Sequence, residues 1–233
     1  MSKLFHFFAP KRHGTTLHIN KFGYNTSVGS SFEPITDLGT NNLPTTAAAV
    51  SIVSTSANDT SDGTGAQTVE VQGLDADYNL QTSIVTLNGT NAVTTGSDTY
   101  IRVLRMKVLT AGTGETNAGP LTASIGGSNV AQISTGNGQT LMAVYTVPAG
   151  YHCSLLKLHV SISKNQEATA QLRTKAESGT WQLKGQFGTF AEAIDYTYEI
   201  PLIFDEKTDI EVRAKAGATS EMGAIFDLIL QKY

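Results

Sequence analysis

The sequence predicts an all-β fold, an antiparallel β-sandwich of jelly-roll type, on three observations. Apolar residues alternate with polar ones at a period of two along several segments. Strand-sized runs start roughly every 10–15 residues, with turn formers between them. Those turn formers are Gly, Thr, Asn and Asp clusters rather than helix caps. One wet face and a period of two mark antiparallel sheets, and sheets of this kind close into sandwiches and jelly rolls.

Residues 1–44 are read as an extended N-terminal arm. They hold six aromatics, four basic residues and seven Gly or Pro, with no persistent periodicity. The cluster Leu4, Phe5, His6, Phe7, Phe8 is too apolar for a solvated tail, so it packs on its own chain or docks on a neighbour. The strand signal starts near residue 45. Val50–Ser54 and Thr68–Gly73 flank the polar stretch 57–65, which reads as a hairpin loop. Ser83–Leu87 is a strand closed by the tight-turn dipeptide Asn88-Gly89. In 100–109, Tyr100, Leu104, Met106 and Val108 share a face, with Arg102 the exception on that apolar side. Further on, Leu156, Leu158, Val160 and Ile162 alternate cleanly, as do Ala168, Ala170 and Leu172, then Ile210 and Val212. The last strand carries Ala224, Phe226, Leu228 and Leu230 on one face, while Ile225 and Ile229 make it apolar on both. A short helix is predicted over 189–194. Pro148 and Gly150 punctuate the chain, so the expected division is an arm at 1–44, a first sandwich at 45–145 and a second at 146–233. A single continuous sandwich is the rival.

Composition narrows the function classes. The chain has 233 residues, 40% of them hydrophobic, enough for a packed core. Only 15% are charged, against about 25% in ordinary domains, so Thr, Ser, Asn and Gly supply the polar surface. Net charge is −4 with scattered Lys and Arg, which argues against a nucleic-acid groove. The lone Cys153 excludes a disulfide framework and reads as a small buried apolar residue. No apolar run reaches the ~20 residues that cross a bilayer, and MSKLFHFFAPKR is not a signal peptide. The expectation is synthesis in a cytoplasm, with no membrane partner.

Motifs that carry chemistry are missing. No His-Glu-x-x-His, Gly-x-Ser-x-Gly or phosphate-binding loop occurs. Asp75-Ala76-Asp77-Tyr78-Asn79 opens like a calcium loop, but Leu80 and Thr86 stand where such a loop needs Gly and Glu. A site shared by Asp59, Asp62, Asp75 and Asp77 is the remaining metal reading, set against a side-chain-capped turn. Glu192, Asp195, Glu199, Asp205 and Glu206 are acid/base candidates by identity alone. Trp181, Phe187, Phe190, Tyr196 and Tyr198 suit a core or subunit interface, or a sugar-stacking platform. Neither a catalytic residue nor a cofactor is assigned.

Several phrases resemble, as a set, the β-rich virion structural proteins of tailed bacteriophages. They are Ala57-Asn58-Asp59, Gly63-Thr64-Gly65-Ala66-Gln67-Thr68-Val69, Val71-Gln72-Gly73-Leu74-Asp75-Ala76-Asp77-Tyr78-Asn79, and Val85-Thr86-Leu87-Asn88-Gly89-Thr90. Tyr145-Thr146-Val147-Pro148-Ala149-Gly150 is similar to a strand-start phrase of phage decoration and fibre domains. These are scaffold phrases over roughly residues 45–160, so no active-site residue carries over. The resemblance implies a virion subunit, expected as a capsid decoration or cement protein that contacts the major capsid protein or other virion subunits. A head-to-tail, tail or fibre-attachment component is the neighbouring reading, and a carbohydrate or host-recognition module the reading from another class. A homo-oligomer is expected, with a trimer favoured. Leu4, Phe5, Phe7, Phe8, Phe22 and Tyr24 are the expected interface residues.

Overall fold

The computed structural model describes residues 16–163 and 166–233. The N-terminal part supplies β1 (Thr16–Val28) and β2 (Glu33–Pro34). The middle supplies β3 (Ala48–Ser54), β4 (Ala66–Leu74), β5 (Leu80–Thr86), β6 (Val93–Tyr100), β7 (Arg102–Ala111), β8 (Leu121–Ile125) and β9 (Ser128–Ile133). The remainder supplies β10 (Val144–Thr146), β11 (Tyr151–Ile162), β12 (Glu167–Lys175), β13 (Gln182–Phe190), β14 (Ile194–Phe204), β15 (Asp209–Ala216) and β16 (Ser220–Lys232). Every pairing between these strands is antiparallel.

Two sheets form a jelly roll. One runs β1-β16-β11-β14; the other runs β10-β15-β12-β13, with β2 also on β15. After β10 the chain crosses between the two sheets in Greek-key order, except at the β12-β13 hairpin within one sheet, and both inner faces feed one buried cluster. Leu155, Leu158, Leu172, Val212, Phe226 and Leu228 lie at its centre. β2 and β10 together make a single split strand: β2 pairs with Arg213 and Ala214, β10 with residues 209–211 of the same β15. The chain leaves this strand at Ile35 and returns at Ala143, whose N–H donates to the Ile35 carbonyl (2.9 Å).

Strands β3–β9 fill that gap as an inserted sandwich, with sheets β6-β3-β8-β9 and β5-β4-β7. It has its own buried cluster, including Val50, Ile52, Val71, Tyr100, Met106 and Leu121. Leu74, Ile101 and Leu104 leave that cluster and pack into the jelly-roll core, so the two units share a seam.

Three sequence expectations are corrected. Residues 16–28 are not an arm: β1 pairs with β16 from Thr16↔Gln231 to Val28↔Ser220. Their alternation is masked because Lys21, Gly23 and Asn25 take inward positions among Leu17 and Ile19, so the buried face does not read as apolar. Gly23 is there by necessity, since a Cβ would lie 2.1 Å from the Ile35 carbonyl oxygen and 2.3 Å from the Ala143 nitrogen. No helix forms over 189–194. β13 runs to Phe190, Ala191 turns with φ 59°, and β14 starts at Ile194 in the opposite sheet. The stretch 57–65 is not a hairpin loop either, because β3 and β4 belong to different sheets. Asn88-Gly89 likewise turns a corner between sheets, from β5 to β6, with Gly89 at φ 58°.

Candidate functional site

Asp59 explains the 57–65 corner. It is fully buried, and its carboxylate accepts hydrogen bonds from Ser54 Oγ (2.6 Å) and from the backbone N–H groups of Ala66, Ala118 and Gly119 (2.8, 2.8 and 3.0 Å). Four donors compensate the desolvated charge and tie three loops together. Asp75 caps its own turn, accepting from the N–H of Asp77 and of Asn79 at 2.9 Å each. These carboxylates are spent on backbone, and among the described residues no group of three or more His, Cys, Asp or Glu is placed to hold a metal ion.

The seam between the two units holds the main buried charges. Arg102, the odd residue on its strand's apolar face, makes a two-pronged pair with Asp209 of β15 (2.9 and 3.1 Å). Thr146 Oγ1 donates to the same carboxylate (2.6 Å), and Arg102 also donates to the carbonyls of Pro44 and Ile101 (2.8 and 2.9 Å). The guanidinium sits 5.6 Å from the centre of the Tyr78 ring. Lys21, buried in β1, donates to the Leu104 carbonyl (2.5 Å). Burial, with Arg105 adding repulsion, pulls its ammonium down to about 7. A second buried charge group closes the 36–44 loop onto β15. Glu211 sits between Arg173 and Arg213, 3.0 Å from each, and accepts from Asn41 Nδ2 (2.7 Å). Burial raises the pKa of Glu211 despite these partners.

The remaining chemical candidates are dispersed. Cys153 is buried in β11, and burial pushes its thiol up to about 12, so it behaves as a core residue. His18 contacts Asp227 (3.3 Å) and His159 contacts Asp195 (3.0 Å), both near solvent. Glu192, Asp195, Glu199, Asp205 and Glu206 are all exposed, on β14 and the turns that flank it. Trp181 is stacked with the Arg173 guanidinium 4.1 Å from its ring centre, apart from the others. Phe187, Tyr196 and Tyr198 form a small cluster between the ends of the two sheets, with ring centres 5.3 and 4.7 Å apart. The Tyr198 hydroxyl is buried there without a hydrogen-bond partner.

Of the expected interface residues, Leu4, Phe5, Phe7 and Phe8 lie outside the described residues. Phe22 and Tyr24 stand on the outer face of β1 and are both engaged within the chain. Phe22 faces Ile225 and carries Arg105 at 5.3 Å from its ring; the Tyr24 hydroxyl donates to Glu221 (2.6 Å), which raises its pKa. Ile225 and Ile229 fall on the outer face of the β1-β16-β11-β14 sheet, with Ile229 across Ser154 from Ile203 of β14 and Ile225 across His159 from Asp195. Half of the ten exposed large apolar residues among the described residues sit on β13 and β14: Leu183, Phe190, Tyr196, Ile200 and Ile203. Sequence reading placed Phe190 and Tyr196 in a core or subunit interface but missed Leu183, Ile200 and Ile203; the usable signal of β13 is a nine-residue run with one charge and no Pro.

No family model matches the chain, and no curated protein matches it. Among solved structures it is similar to one describing a triple jelly-roll fold and turret assembly in an archaeal virus, at 11% identity and TM-score 0.26, over 95% of this chain and 60% of that one. The chain thus spans less than two thirds of that protein. It is also similar to a structure of infectious bursal disease virus, Gt strain (10% identity, TM-score 0.23, 96% and 73% covered). A third is a bacterial lipoprotein from Bacteroides thetaiotaomicron (12%, 0.21, 93% and 96%). At these TM-scores none bears on what this chain does; the jelly-roll assignment rests on strand order and pairing.

Proposed function

We propose that this chain is a structural subunit of a virus particle, and specifically a capsid decoration or cement protein of a tailed bacteriophage. The observation that carries the reading is an apolar outer rim, on β13, β14 and the outer face of β16, attached to a double sandwich whose buried charges are paired internally. A surface of this kind gains energy by burial against other subunits rather than by chemistry. Jelly rolls serve capsids and lectins alike, so the fold alone does not choose between them. The resemblance of the 57–90 phrases to phage virion proteins supports the particle, and the dispersed carboxylates and histidines support a non-catalytic role. The subunit assembles as a homo-oligomer on the major capsid protein, without nucleic acid or membrane, after synthesis in the host cytoplasm. The aromatic segment Leu4–Phe8 is its anchor on the particle.

Removing residues 2–12 tests the anchor. The truncated protein is expected to keep the circular dichroism and melting of the full chain while its incorporation into particles falls to background. Normal incorporation of the truncated, folded protein would rule the anchor out. Trp181→Ala tests the lectin reading: loss of a measurable glycan affinity on this change would replace the particle reading with host recognition.

A further inference from the structure

A groove of about 330 Å³ lies where β1 meets β7 of the inserted unit. Lys21 is the most deeply buried of its lining side chains, at 3% exposed. Its ammonium has three N–H groups and one acceptor, the Leu104 carbonyl (2.5 Å). Arg105 lines the same groove, donates to the Asn20 carbonyl (2.8 Å) and stands 5.3 Å from the centre of the Phe22 ring. Its other N–H groups make no hydrogen bond among the described residues. His18 lies on the exposed side of the groove.

Neither buried cation nor guanidinium has a counter-ion here. Every Asp and Glu of the chain falls within the described residues, and none forms an ion pair with Lys21 or Arg105. The carboxylates beside the lining residues are engaged elsewhere. Asp227 contacts His18 and accepts from Asn20, while Glu70 accepts from Lys107 and Gln72. Burial and the Arg105 charge together hold the Lys21 ammonium down at about 7, as expected of a cation kept without an anion. Two like charges between the apolar walls of Phe22 and Leu104 focus positive potential on the groove.

We propose that this groove binds a tetrahedral oxyanion of the phosphate class between Lys21 and Arg105, with His18 at its outer side. The spare donors come from two strands in different sheets and at different depths. A tetrahedral anion offers oxygens in several directions, whereas a carboxylate offers them in one plane. Two uncompensated cations also match the nearly double charge of a phosphate group. Bound there, the anion takes the N–H groups that Leu104 and Asn20 leave free and links β1 to the inserted unit. The site does not depend on the particle reading.

The test titrates the purified full chain with sulfate and with inorganic phosphate by calorimetry, at constant ionic strength set with chloride. One site per chain is expected, with Kd about 1 mM or tighter. The melting temperature should rise with either anion. At about pH 8 the free chain holds Lys21 mostly neutral, so the bound dianion should draw in about one proton, read from the dependence of the heat on buffer ionisation. Sulfate keeps its charge over this range and contributes no proton of its own. Of the groups facing Lys21, Arg105 stays charged and Asp227 and Glu70 stay engaged; His18→Asn should keep the proton uptake, which isolates Lys21. Lys21→Met should lose the uptake and bind at least about tenfold more weakly. Arg105→Gln, which leaves the Lys21–Leu104 bond in place, should weaken binding by at least about tenfold as well. Lys107→Gln, at an ion-paired lysine outside the groove, should bind as the unmodified chain does. Glycerol phosphate separates the sources of the group: equal or tighter binding assigns a phosphate monoester, and binding at least about tenfold weaker assigns the free ion. No saturable heat up to about 50 mM anion, an equal rise in melting with chloride, or undiminished binding by both Lys21→Met and Arg105→Gln would each overturn the proposal.

Discussion

Single buried charges decide how the loops and the seam hold. Asp59 is bonded by one hydroxyl and three backbone N–H groups, so Asp59→Ala strands several donors at once. Leaving buried donors unpaired costs about 1–3 kcal/mol each before relaxation and water entry. A net loss of about 3–4 kcal/mol in urea unfolding is expected; a loss under about 1 kcal/mol would mean water replaces the carboxylate. Arg102 and Asp209 pose the complementary case. Removing either alone leaves a buried charge and should cost about 3–5 kcal/mol, whereas Arg102→Met with Asp209→Leu should recover most of it. A double-mutant cycle reads the difference.

Lys21 sets a pH dependence. Its folded pKa, about 7, lies below the ordinary 10.5. Above about 10.5 the amine is neutral in both states and burial carries no ionisation cost. As pH falls from there toward 7 the unfolded chain takes up a proton that the folded one resists, so stability drops; below 7 the penalty is complete and constant. Lys21→Met removes that penalty. The variant's melting temperature minus that of the unmodified chain should therefore grow as pH falls from about 10 to about 7 and then level off. A difference that is flat over this window would show that the ammonium is solvated.

At the scale of elements, what the sequence reveals depends on whether burial follows side-chain polarity. β12, β15 and β16 have apolar inward rows and are legible directly, whereas in β11 a bulge at Leu156 turns Leu155 rather than Leu156 into the core beside Leu158 and Val160. β1 is not, because its inward row includes Lys21, Gly23 and Asn25, each held by a specific local contact. Gly23 is the clearest of these. The crossing of β1 over the Ile35–Ala143 junction leaves no room for a Cβ, so Gly23→Ala should cost about 3 kcal/mol by forcing the backbone apart. Thermal denaturation of that variant checks the crossing; wild-type stability would show that the junction is looser than described. Arg102 was visible in sequence as an anomaly, but Asp209, its partner 107 residues away, was not. Long-range pairing of this sort has no local signature. The same limit hid the corner at 57–65, where a polar stretch reads as a loop whether it joins neighbours in a sheet or crosses between sheets.

The whole molecule is one jelly roll interrupted in its split strand by a second sandwich. The change in strand signal sets the expected division near residues 45 and 145; the nesting was not legible, because it depends on β1 and β2 returning to the C-terminal sheets. The insertion leaves and re-enters at neighbouring points, with Asp37 N–H donating to the Leu141 carbonyl (2.8 Å). Close ends are the geometry that tolerates excision. Replacing residues 38–140 by a short Gly-Ser turn should leave a folded but less stable jelly roll, since Leu74, Ile101 and Leu104 no longer fill its core. Loss of the β-type circular dichroism would show that the jelly roll depends on the insertion to fold.

Membership of a virus particle is tested most directly by the protein composition of the particle. Quantitative mass spectrometry of the purified particles that the proposed function calls for measures membership and copy number together. The account predicts the chain at a copy number comparable to that of the major capsid subunits. A copy number equal to a single ring would move it to the tail or head-to-tail junction, and its absence from the particles would contradict the account.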